Sequence, residues 1–266
     1  MATQTITPSA PTIAAFGAGE IIYFTGGGYN VTATVDQSGQ TQAAICEVSD
    51  DFTGDLATAA APFQQSFSTR LVYAAQSGTM YWESDASDVD TTALAQCIGG
   101  GHLVAQTTGT ITRAECARGT FTVNSAVVVT TGRNSGGRLN LYDAGGASAV
   151  TTLDQLGGFT YCQRPITTGN VMGGTLLVDS DDADATNALT TLNIYGGELI
   201  LRDPGTIGTF SWYGGNVRYG SKRPLTISGN VIINMTLPGA QAFLDNPLLT
   251  ISGTTTRIIT DGRPLA

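Results

Sequence analysis

Residues 194–220 read IYGGELILRDPGTIGTFSWYGGNVRYG and state one pattern twice. Tyr195-Gly196-Gly197 leads to Leu199 and Leu201, and eighteen residues later Tyr213-Gly214-Gly215 leads to Val217 and Tyr219. A glycine corner followed by alternating apolar residues describes a turn into a strand that sends every second side chain inward. The same phase recurs upstream and downstream. Gly101 leads to Leu103 and Ala105, Gly119 to Phe121 and Val123, Gly137 to Leu139 and Leu141, Gly174 to Leu176 and Val178, and Gly229 to Val231 and Ile233. Gly158 departs from it, with Phe159 and Tyr161 one position early and only Cys162 in the fourth slot.

The intervals between these glycines are 18, 18, 21, 16, 23, 18 and 14 residues. Such a repeat has to be explained before anything else. A parallel β-helix with coils of about 18 residues explains it, because each coil stacks its inward side chains on those of its neighbours and absorbs insertions at corners. A β-sandwich or barrel with glycine-rich turns would imitate the interval with two strands per repeat, yet a sandwich has no reason to preserve the phase. Asp143, Asp179 and Asp203 follow the strands in three coils, where an Asx-type turn is expected.

The solenoid is expected over residues 98–253. Residues 1–15, polar and carrying Pro8 and Pro11, read as an extended arm, and residues 16–97 as a β-rich domain that caps the solenoid and attaches it to a partner. Two hairpins are expected there: Val31–Val35 with Ala44–Val48, and Leu71–Tyr73 with Met80–Trp82. The acidic run Glu83–Asp90 reads as a linker, and residues 254–266 as a C-terminal cap or tail.

Composition agrees with an all-β class. Of 266 residues 34 are glycine, 41% are apolar and only 12% are charged. Net charge is −9 and Lys222 is the single lysine, so the basic face that nucleic acid requires is missing. No run of 18 apolar residues suggests a membrane span, and the first residues lack the pattern of a secretory signal. Cys46, Cys97, Cys116 and Cys162 are widely spaced without a CxxC, and are expected as free, mostly buried thiols.

Chemistry is thinly supplied. Asp179, Asp181, Asp182 and Asp184 are a candidate cation loop, although the spacing is not that of an EF-hand and a solvated corner explains them as well. His102 is the only histidine, lies out of phase with inward Leu103, and reads as a surface or inter-coil residue rather than a member of a triad. Tyr195, Tyr213 and Trp212, with Trp82 and Tyr219, are candidates for a glycan-contacting aromatic strip, against which stands simple stacking of like residues in adjacent coils. No catalytic residue, metal site or cofactor is assigned.

A small, acidic chain, nearly free of lysine, with an extended segment from Met1 to Ile13 and coils from Gly101 to Gly229, resembles structural proteins of tailed-bacteriophage virions. Capsid decoration proteins, head fibres and tail spikes are similar in this sense. The resemblance implies a non-enzymatic homotrimer bound to the major capsid protein or another virion protein, assembled in the host cytoplasm. The alternative it carries is a tail or vertex spike that binds or cleaves host surface glycans.

Overall fold

The structure, a computed structural model, describes residues 2–9, 19–28, 30–31, 43–64, 67–83, 91–106, 109–124, 127–143, 149–179, 189–202, 205–221 and 223–258. The chain opens with β1 (Thr3–Ile6), β2 (Ile21–Phe24), β3 (Ala43–Val48), β4 (Phe63–Gln64), β5 (Phe67–Tyr73), β6 (Thr79–Glu83) and β7 (Thr91–Cys97). After β8 (His102–Ala105), β9 (Thr110–Cys116) and β10 (Thr120–Val123) come two long strands, β11 (Val128–Leu141) and β12 (Val150–Cys162). Then follow β13 (Ile166–Val171), β14 (Thr175–Val178), β15 (Leu189–Ile194), β16 (Glu198–Leu201), β17 (Thr206–Trp212) and β18 (Asn216–Tyr219). The last elements are β19 (Leu225–Ile227), β20 (Val231–Asn234), the helix α1 (Ala240–Leu244), β21 (Leu249–Ile251) and β22 (Thr255–Ile258).

These strands pair in parallel, forming a β-solenoid of about ten turns. One ladder runs β1-β2-β3-β5-β7-β9-β11-β12-β13-β15-β17. The second runs β4-β6-β8-β10-β11-β12-β14-β16-β18. β11 and β12 belong to both, turning the corner without leaving strand conformation.

The glycine phase is the register of the second ladder. Leu103, Phe121, Leu139, Leu176, Leu199 and Val217 stack as one buried column, with Ala105, Val123, Leu141, Cys162, Val178 and Leu201 as the next. The slot left by Gly158 is filled by Thr160, which pairs with Leu139 and is fully buried, while Phe159 and Tyr161 face outward. Arg138 covers the Phe159 ring at 4.9 Å, and Tyr161 meets Tyr142 edge-on. The eighth glycine falls out of phase: Val231 and Ile233 stack on Phe210 and Trp212 in the first ladder, so Gly229 is not the corner the sequence pattern made it.

The ladders also cross the boundary expected near residue 98. β6 pairs with β8 and β7 with β9, so β1 to β7 stack as coils of the same solenoid. The hairpin expected between Leu71–Tyr73 and Met80–Trp82 is replaced by parallel pairing, because these segments sit on different ladders. Of the other hairpin, residues 32–35 lie outside the described residues, and Ala44–Val48 belongs to β3, parallel to β2 and β5. Residues 3–6 of the expected arm are strand β1, with Ile6 buried. The C-terminal end is covered by α1, whose Phe243 stacks on Phe210 at 5.3 Å and meets Trp212 edge-on, while β22 adds a last, exposed rung.

Candidate functional site

The residue before each corner on the first ladder explains the local chemistry. Tyr73, Cys97, Cys116, Asn134, Gln155 and Trp212 fall in one inward column, and each donates a hydrogen bond to a corner carbonyl. Asn134 donates Nδ2 to Gly137 O at 3.1 Å and to Thr160 Oγ1 at 3.0 Å, and Gln155 donates Nε2 to Gly157 O at 2.7 Å. Thr160 in turn donates its hydroxyl to Gln155 Oε1. The polar slot of the Gly158 coil is thereby hydrogen-bonded, as a buried polar group must be.

Trp212 belongs to this column, not to a surface strip. It is fully buried, its Nε1 donates to Gly215 O at 3.4 Å, and it cannot face a sugar. Trp212→Ala is expected to cost about 3–5 kcal/mol of stability as a core truncation, read as a lowered thermal midpoint. Trp82 is likewise buried, and Tyr219 donates its hydroxyl to Arg223 O. Tyr195 and Tyr213 are exposed and stack on each other, centroids 5.4 Å apart and planes at 12°. Each ring therefore gives one face to the other, and the face is what a sugar would need.

Asp179 is nearly buried, accepting from Tyr161 OH at 3.3 Å and Arg202 Nη1 at 3.4 Å. Asp181, Asp182 and Asp184 lie outside the described residues, as does Asp203. Among the described residues no three His, Cys, Asp or Glu gather as a metal site. His102 bridges coils through Nε2 and Thr122 Oγ1, 2.9 Å apart, and burial pushes its pKa below the ordinary histidine range. The four cysteines are free and buried, and burial pushes the Cys162 thiol up to about 11. Among the described residues no helix is long and apolar enough to cross a membrane.

A groove that no sequence motif announced lies across the outer face of β2, β3, β5 and β7. It has a volume of about 960 Å³ and is lined by Tyr23, Glu47, Arg70, Gln96, Ile98 and Arg118, among others. Tyr23, Glu47, Val72 and Gln96 are register partners on successive coils, so their side chains emerge in one row. Glu47 is ion-paired to Arg70, whereas the Arg118 guanidinium has no partner among the described residues. Tyr23, Glu47, Val72 and Gln96 are 24 or 25 positions apart from coil to coil, and only the stacking register brings them together. Ser49 also lines it and donates its hydroxyl to the Asp51 carboxylate. Such a surface can hold an extended polar ligand through hydrogen bonds and a guanidinium. Comparison with protein-family models, curated proteins and solved structures finds no match to the chain.

Proposed function

We propose that this chain is a non-enzymatic structural protein of a bacteriophage virion that decorates or stabilises the capsid. The observation that carries this reading is the parallel pairing that links β1 to β22 among the described residues, with buried polar side chains such as Asn134 and Gln155 holding its corners. A continuous hydrogen-bonded solenoid is suited to bearing load between partners, since each coil is fixed by its neighbours. Mass spectrometry of purified particles tests it by comparing the copy number of this chain with that of the major coat protein. A ratio approaching one supports capsid decoration, and absence from particles sinks the reading.

The groove favours a second reading, a tail or vertex spike that binds host surface glycans. Coils about 4.8 Å apart would set polar groups at roughly the length of a sugar ring along a saccharide chain. Tyr23→Ala and Arg118→Ala are each expected to weaken glycan binding at least about tenfold with no change in thermal midpoint, measured by calorimetry on host-derived saccharides. A particle-bound protein that retains no host glycan leaves capsid decoration alone.

A further inference from the structure

In the first ladder the inward column at the corner also contains Val48, Val171, Ile194 and Ile233, and the residue after each of its members forms a column of its own, along one edge of the solenoid from Ser49 to Asn234. Every large apolar side chain exposed among the described residues stands in it: Ile98 at 41%, Met172 at 50%, Tyr195 at 53% and Tyr213 at 39%. No position of the column carries a charge, in a chain whose net charge is −9. Beside it run the glycine pairs 173–174, 196–197 and 214–215, half-buried to exposed, which project no side chain outward; the Cβ side of each is occupied by backbone of the preceding coil. From Ile98 to Tyr213 the edge is roughly 30 Å long at the inter-strand spacing of a sheet.

We propose that this edge is a homotypic contact, in which a second copy of the chain packs corner to corner with its solenoid axis parallel. Two observations select that occupant. Met172, Tyr195 and Tyr213 recur once per coil, so a partner matching them rung by rung must share the coil repeat, as an aligned copy does. Copies of a strongly acidic chain repel each other over most of their surface, and the uncharged edge is where they approach without setting carboxylates against carboxylates. Parallel alignment also places each residue opposite its own counterpart, so that Tyr195 meets Tyr195 at the same height.

Sedimentation velocity on the full chain at micromolar concentration tests the contact. The unmodified protein is expected to sediment as an oligomer, and the double variant Met172→Glu, Tyr195→Glu as a monomer, its dissociation constant raised at least about tenfold by like charges at the contact. Both side chains are exposed, so circular dichroism and the thermal midpoint should stay unchanged and separate lost contact from lost fold. Tyr195→Cys, oxidised with a copper–phenanthroline reagent, is expected to give a disulfide-linked dimer, since the four native thiols are buried. A monomeric unmodified protein, or an oligomer indifferent to the glutamates, overturns the proposal. Dissociation by the glutamates without cross-linking at position 195 overturns the parallel alignment.

Discussion

Arg164→Met is expected to destabilise the solenoid by roughly 3–5 kcal/mol. The Arg164 side chain is fully buried, and its guanidinium donates to three carbonyls: Nε to Tyr142 O at 2.9 Å, Nη2 to Asn124 O at 2.6 Å, and Nη1 to Val127 O. Burial pushes its pKa down from the ordinary value, but a guanidinium remains charged. Methionine keeps much of the stem's volume but removes the guanidinium donor from all three carbonyls, leaving Asn124 O with only the Val127 N–H at 3.2 Å, and that loss dominates. Arg164→Lys retains the charge but not the planar fork, so its cost falls between. The thermal midpoint should drop by about 10 °C, and hydrogen exchange should rise first in the coils around residues 124, 142 and 164. Arg257→Met on the exposed last rung is the control, expected to stay within about 0.5 kcal/mol. Equal midpoints for the two variants would show that Arg164 does not clamp the coils.

Gly197→Ala is expected to cost about 3 kcal/mol or more, by a different route. Gly197 has φ +68°, and an added Cβ would lie 2.6 Å from Gly174 O and 2.7 Å from Gly173 C, both backbone atoms of the preceding coil. The strain of the left-handed conformation, about 1–2 kcal/mol, is thus joined by a clash that can be relieved only by separating two coils. Gly239→Ala isolates the first contribution, since Gly239 has φ +83° and nothing within 4 Å of an added Cβ. It should lose only about 1 kcal/mol. Denaturant titration of the pair measures the difference, and equal losses would remove inter-coil contact from the explanation of the repeat.

The solenoid was legible because its cause is local: a glycine that can turn, then residues alternating inward and outward. Alternation also held the warning about Trp212. It occupies the parity of inward Ile194, one residue before the outward Tyr213, and grouping it with the tyrosines by residue type ignored that phase. Free buried thiols follow from cysteine's size and apolar character, and all four cysteines are found so. Gly229 misled because a glycine before two alternating apolar residues looks the same on either ladder, and only pairing assigns Val231 to Phe210.

The sequence by itself therefore determined an all-β parallel solenoid, its glycine corners and the aligned tyrosines, since each depends on conformational preference and side-chain parity within a few residues. Tertiary structure decided that β1 to β7 stack as coils of the same solenoid, that Arg164 reaches carbonyls 22 to 40 residues away, and that Tyr23, Glu47, Val72 and Gln96 form one row. Those outcomes depend on the stacking register between coils of unequal length. That register is fixed by packing the whole core against itself, and no short stretch of the chain carries it.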